Sequence, residues 1–115
     1  MIKELSPAEV HNLLTDHGIL LVDVREPQEF AAARIHGALL FPLSSFDPLA
    51  LPTGDNVRIV FHCGSGKRSA MAVGRCQQAG LTHSEHMAGG IQAWMAQRLP
   101  TVTLDPTSGG VIDRR

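Results

Sequence analysis

Three short apolar runs decide the architecture: Ile19-Leu20-Leu21-Val22, Ala38-Leu39-Leu40-Phe41 and Val57-Arg58-Ile59-Val60-Phe61. Each has the length of a strand and ends at a polar residue or a proline. None alternates apolar with polar, as a strand with one wet face would. Near-continuous apolar strands belong to a sheet covered on both faces, and such sheets are parallel. Ile2 to Glu4 and Glu85 to Met87 are weaker candidates, expected at the sheet edges.

Helical patterns lie between the runs. Ser6-Pro7-Ala8-Glu9 is a capping box with proline at the first helical position. The helix it opens is expected to reach His17, with Gly18 as its stop. Pro27 to Ala33 reads as a short helix, and Ser44 to Leu51 as a turn broken by Pro48. Lys67 to Ala79 is expected to be helical up to Gly80, and Ile91 to Arg98 up to Pro100. Strands alternating with helices predict an α/β fold, a three-layer α/β/α sandwich. The 115 residues allow one domain over residues 1–100. Residues 101–115 lack periodicity and carry Pro106, Ser108, Gly109 and Gly110, so they are expected to form a loose tail.

Composition removes several functions. With 43% apolar and 18% charged residues the chain is globular. Ten basic residues against eleven acidic ones leave a net charge of -1, so no global field selects nucleic acid or a membrane surface. No apolar run approaches the ~20 residues that span a bilayer, and MIKELSPAEV lacks the basic start and apolar stretch expected of a signal peptide. The expected compartment is the cytoplasm, where Cys63 and Cys76 stay free thiols.

Cys63 ends the third run and is followed by Gly64-Ser65-Gly66-Lys67-Arg68-Ser69 and a helix. In an open parallel sheet, ligands bind beyond the carboxyl ends of the strands. Two glycines let successive N–H groups turn inward as an anion nest. The helix N-terminus adds its positive end. Lys67 and Arg68 are expected to add charge at the rim. These features all stabilise a thiolate, whose ordinary pKa of ~8.5 falls to about 3.5–7.5 in such surroundings. A fall of about two units requires roughly 2.7 kcal/mol. A helix end supplies at most ~2 kcal/mol. Each hydrogen bond to an ionised group supplies about 1.5–3 kcal/mol. Two or three amides therefore outweigh the dipole. Cys76 lies within a helix without such a nest and reads as a packing residue.

A cradled thiolate can attack phosphorus, arsenic or sulfur. Four residues separate Cys63 from Arg68, one fewer than in loops of the tyrosine-phosphatase type. The tighter ring suits one extra sulfur better than a phosphoryl group. A phosphatase also needs a general acid, and nothing in the sequence aims Asp47 or Asp55 at Cys63. A phosphatase or arsenate reductase, and a non-catalytic binding module, remain the competing readings.

Over roughly residues 2–100 the chain resembles the rhodanese family of sulfurtransferases. The resemblance rests on four segments in order: Leu21-Val22-Asp23-Val24-Arg25-Glu26 with Glu29-Phe30; Arg34-Ile35-His36-Gly37-Ala38 with Phe41-Pro42; Cys63 to Ser69; and Gly89-Gly90-Ile91-Gln92-Ala93-Trp94 with Leu99-Pro100. The family implies a five-stranded parallel sheet and a persulfide on Cys63. It implies a ping-pong transfer of sulfane sulfur from thiosulfate or a persulfide donor to cyanide, a thiol or a protein sulfur acceptor. Gly64, Ser65, Gly66, Lys67, Arg68 and Ser69 would hold the substrate. No cofactor or metal is implied. The chain departs from the family at Arg34 and His36, where His and Pro are frequent. It departs again at Arg98, a common glycine position, and at His62, where an aromatic is frequent.

Asp23, Arg34 and His36 are candidates for supporting the loop, although Asp23 reads better as a structural partner of a nearby arginine. Arg25 shares its face two residues on. His62 is expected to pack, pointing away from Cys63. His83, Glu85 and His86 match no zinc spacing, and the two histidines are expected to be solvated. Trp94 reads as core, and Gly89-Gly90 as a tight turn bordering the site.

Overall fold

The computed structural model describes residues 2–52 and 56–113. Asp55, one of the two acids weighed above, lies outside them. Five strands form the parallel sheet: β1 (Lys3–Leu5), β2 (Leu20–Asp23), β4 (Leu39–Leu40), β5 (Ile59–His62) and β6 (Glu85–Met87), in the order β1-β6-β5-β2-β4. The helices are α1 (Pro7–Thr15), α2 (Pro27–Ala32), α3 (Lys67–Gln78) and α4 (Gly90–Ala96). Two single 3-10 turns, Leu43–Ser45 and Pro48–Ala50, take the place of the broken turn expected there.

Strand alternation assigns the two faces. Val22, Ile59, Phe61 and Cys63 point to one side and pack with Ala72, Val73 and Cys76 of α3. Leu5, Leu21, Val60 and Met87 point to the other and pack with Val10 of α1 and Ile91 and Trp94 of α4. The three layers are therefore α3, sheet, and α1 with α4. The Trp94 indole is buried and donates its N–H to the Pro100 carbonyl at 2.9 Å. No described helix is long and apolar enough to cross a membrane.

Ser6 caps α1 as its sequence predicts. Its hydroxyl accepts from the Glu9 amide at 3.1 Å, and the Glu9 carboxylate accepts from the Ser6 amide at 3.1 Å. The far end differs. His17, not Gly18, takes the left-handed turn at φ 57, and its amide and that of Gly18 close on Leu14 and Leu13. Arg98 does the same after α4 at φ 58, with its amide on Met95 and the Leu99 amide on Trp94. A left-handed residue with a side chain costs about 1–2 kcal/mol, part of which glycine returns as unfolded-chain entropy. Arg98→Gly is accordingly expected to stabilise the fold by about 0.5–1 kcal/mol. A higher urea midpoint checks this; an unchanged or lower midpoint contradicts it.

Two expectations are corrected. β6 is an interior strand between β1 and β5 rather than an edge. Residues after Pro100 are not a loose tail. β7 (Val102–Leu104) pairs antiparallel with β3 (Ala33–Arg34) and with β8 (Val111–Asp113), making a second, three-stranded sheet. Thr101 and Val102 are buried. The residues that suggested looseness make the hairpin turn. The Asp105 carboxylate accepts from the Thr107 amide at 2.9 Å and the Ser108 hydroxyl at 3.2 Å, and Gly109 takes φ 72.

Candidate active site

The end of β5 carries Cys63, buried, with its sulfur turned toward the start of α3. The sulfur accepts from the Gly66 amide at 3.1 Å and the Ser69 amide at 3.4 Å, and lies 3.6 Å from the Ser69 hydroxyl. Gly66 is the residue before α3 and has φ 109, a conformation only glycine takes without strain. It offers no side-chain cap to the helix. The Cys63 sulfur fills that place, accepting the orphan amide of the first turn as a capping oxygen normally does. Burial is the largest single influence on the thiol and pushes its pKa up. The Ser69 hydroxyl, then the amides of Ser69, Gly66 and Ser65, together outweigh it, so the thiol sits below its ordinary value. Cys76 shows the contrast: burial alone pushes it up to about 11.

The loop is held from behind by α4. The Ile91 amide donates to the Cys63 carbonyl at 2.8 Å, and the Gln92 amide to the Gly64 carbonyl at 3.1 Å. α4 has no side-chain cap either, so these loop carbonyls satisfy its first-turn amides. A trans peptide points its N–H opposite to its carbonyl. Fixing the Gly64 carbonyl on α4 therefore turns the Ser65 N–H away from α4, toward the cradle. The contact is so close that a Cβ on Gly90 would stand 2.4 Å from the Cys63 carbonyl oxygen. Gly89 and Gly90 take φ 73 and 60. They are the tight turn expected there, and they do border the site.

The rim differs from its expectation. Lys67 is exposed. Arg68 is not a free charge: its guanidinium makes two bonds to the Glu29 carboxylate of α2, at 2.7 and 2.9 Å. A Cβ on Gly64 would stand 3.2 Å from Arg68 Nη2, which places the guanidinium against the loop. The Arg68 side chain lowers the Glu29 carboxyl from an ordinary 4.5 to about 2. A carboxyl with a depressed folded pKa stabilises the fold above its unfolded value and loses that contribution as pH falls through the folded one. Glu29→Gln should therefore be less stable than the parent at neutral pH, with the gap closing between about pH 4.5 and about pH 2. Thermal melts across that range read it; a gap that stays constant would remove the pair as its source.

The supporting candidates separate. The Asp23 carboxylate is fully buried and bonded to Arg25, with Nη2 at 2.8 Å and Nε at 3.0 Å. Arg25 in turn donates to the Ala33 carbonyl at 2.6 Å, tying the end of β2 to α2 and β3. Arg34 lies in β3 with its guanidinium 5.4 Å over the Phe30 ring. His36 Nδ1 lies 3.7 Å from the Asp113 carboxylate of β8. These two sit on the second sheet's side rather than around the sulfur. His62 packs on the α1 and α4 side, fully buried, with Nε2 3.5 Å from Asp23; burial keeps its pKa low.

Two residues escaped the sequence reading. Glu29 appeared only as a family signature, with no sign of its pairing 39 positions away. His86 was expected to be solvated. It is buried, and its Nδ1 lies 2.8 Å from the Ser69 hydroxyl. Among the described residues no three His, Cys, Asp or Glu side chains gather as a metal site.

A cavity of about 430 Å³ opens beside the loop, lined by Ser65, Gly66, Lys67, Glu4 and His86 among others. A second, more apolar hollow of about 390 Å³, between α1, Ile35 and Trp94, lies away from the cysteine.

A solved structure shares this frame, and two further proteins match the chain in sequence. A crystal structure of a rhodanese-related protein from Thermoplasma volcanium superposes with a TM-score of 0.76 at 28% identity, covering 87% of this chain and 97% of that one. An uncharacterised protein of Synechocystis is 37% identical over 98 residues, which are 85% of this chain; the chain spans 55% of that protein's length. A protein of Allochromatium vinosum named sulfurtransferase is 32% identical over 103 residues, covering 89% of this chain and 96% of that protein. The model of the rhodanese-like domain matches residues 6–97, from the cap of α1 to the end of α4. That span holds the whole cradle and both helices that form it, and the chain belongs to the rhodanese-like domain family.

Proposed function

We propose that the protein is a sulfurtransferase that carries sulfane sulfur on Cys63. The reading rests above all on the sulfur's own partners: amides of Gly66 and Ser69 point at it from 3.1 and 3.4 Å, within a ring that is only four residues long between Cys63 and Arg68. Such donors hold negative charge on sulfur whether one atom or two are present, which is what a persulfide intermediate needs.

In the first half-reaction the Cys63 thiolate attacks the outer sulfur of thiosulfate. An S–S bond forms, the old S–S bond breaks, and sulfite leaves with the electron pair. In the second, cyanide or an acceptor thiolate attacks that outer sulfur, and Cys63 leaves as the thiolate. Charge is conserved, and the cradle faces an anion at every stage. Exposed Lys67 draws the anionic donor, and the half-exposed Arg68–Glu29 pair frames the entry. A persulfide of a small thiol or of another protein would serve the same chemistry as donor.

The test is one turnover. The protein is mixed with thiosulfate, and its intact mass is read before and after cyanide. The expected result is a gain of one sulfur atom, located on Cys63 and lost to cyanide. Protein that takes up no sulfur and hydrolyses an aryl phosphate would overturn the reading in favour of a phosphatase, and protein inert in both assays would leave a binding module.

A further inference from the structure

Three elements bring three groups into line behind the cysteine. Cys63 Sγ, at the end of β5, lies 3.6 Å from Ser69 Oγ of α3, and Ser69 Oγ lies 2.8 Å from Nδ1 of His86 in β6. On the other edge of the ring, His86 Nε2 lies 3.5 Å from the Glu4 carboxylate of β1, its register partner. A nearly buried histidine in an interior strand is an expensive choice unless its nitrogens are used. None of the sulfur-transfer steps above uses them.

We propose that His86 takes and returns the Cys63 proton through the Ser69 hydroxyl, and so sets how much of the cysteine is ionised. His86 is a positioning residue here, acting through Ser69. The inference rests on Cys63 being the nucleophile.

The protons balance. In the thiol state Cys63 S–H donates to Ser69 Oγ, the Ser69 O–H turns from the Gly66 carbonyl at 3.1 Å to donate to His86 Nδ1 at 2.8 Å, and the ring proton is on Nε2, facing Glu4. On transfer the S–H bond breaks and leaves its pair on sulfur. That proton bonds to Oγ, while the former hydroxyl proton bonds to Nδ1. The result is a thiolate accepting from Ser69 O–H, and an imidazolium donating from Nδ1 to Oγ and from Nε2 toward Glu4. No other reactant is consumed. Glu4 is exposed and lines the cavity beside the loop with His86 and Lys67, so the proton has a way out to water.

The charged groups facing the ring are Glu4 from β1, Lys67 across the cavity and, through Ser69, Cys63 itself; its register partner on β5 is the apolar Phe61. Burial lowers the His86 pKa and Glu4 opposes it, so at neutral pH the resting ring has an open acceptor nitrogen.

Alkylation of Cys63 by iodoacetamide, read by peptide mass across pH, measures the ionisation directly. His86→Asn keeps an amide near the Nδ1 position and cannot take a proton. It is expected to move the midpoint up by about one pH unit, making alkylation about tenfold slower below both midpoints and equal above them. Ser69→Ala should raise the midpoint too, and adding His86→Asn to it should shift nothing further, because the relay is already cut. An unmoved midpoint in His86→Asn, or shifts that add in the double variant, would overturn the proposal. A second readout needs no change at His86. Its imidazole, followed by nuclear magnetic resonance, should titrate at lower pH in Cys63→Ser than in the parent, since the thiolate that favours its charged form is gone. Identical titrations would also overturn the proposal. Both readouts follow proton occupancy alone. Coupling without sulfur uptake would retain the relay and sink the transfer reading; uptake without coupling would do the reverse.

Discussion

Gly90→Ala is expected to destabilise the protein by about 4 kcal/mol and to abolish its sulfur chemistry together with its fold margin. The added Cβ would stand 2.4 Å from the Cys63 carbonyl oxygen and 2.5 Å from the Gly64 carbonyl carbon and oxygen, all backbone. Backbone cannot swing aside as a side-chain tip can. Overpacking of this kind costs about 1–3 kcal/mol. A left-handed alanine at φ 60 adds about 1–2 kcal/mol. Moving the loop away from α4 also lengthens the Ile91 and Gln92 bonds, worth about 1 kcal/mol each. Against a total stability of about 5–15 kcal/mol such a loss is severe. Gly74→Ala is the control. That glycine is inside α3, and a Cβ there meets nothing within 4 Å. It should stabilise by about 0.8 kcal/mol through helix propensity. Melts of both variants read the contrast, and a Gly90→Ala protein as stable and active as the parent would mean that α4 does not shape the loop.

Cys63→Ser is expected to remove sulfur transfer entirely and leave the fold in place. Serine's oxygen can accept from the Gly66 and Ser69 amides, so the first turn of α3 keeps its cap. It cannot accept a sulfane sulfur and release it again. Transfer from thiosulfate to cyanide should fall below detection, while the melting temperature changes by a few degrees at most. Residual transfer in this variant would move the nucleophile elsewhere.

These two residues differ in how openly the sequence announces them. Cys63 is legible because the apolar run, the cysteine, two glycines and the helix stand side by side in the chain. β2 and β5 are legible for the same local reason: Leu21, Val22, Val60 and Phe61 are buried on alternate faces and leave no polar position between them. β6 is weakly legible because its polar residues are satisfied by partners remote in sequence. Glu85 takes Arg58 from 27 positions away, and His86 takes Ser69 from 17 away. A local pattern shows only polarity there, and polarity reads as edge or solvent. Arg68 is misread in the same way, since its charge is committed to Glu29. β7 is missed because three residues are too few to show a period, and its partner β3 has only two.

Sulfur transfer at Cys63 requires negative charge to be stable on its sulfur. Thiolate absorbance followed across pH measures that charge directly in the resting protein, and Cys76, held up to about 11 by burial, contributes nothing in the range of interest. A midpoint for Cys63 clearly below the ordinary thiol value of about 8.5 is the predicted result. A midpoint at or above that value would mean that the amides of Gly66 and Ser69 do not outweigh burial, and would contradict the account.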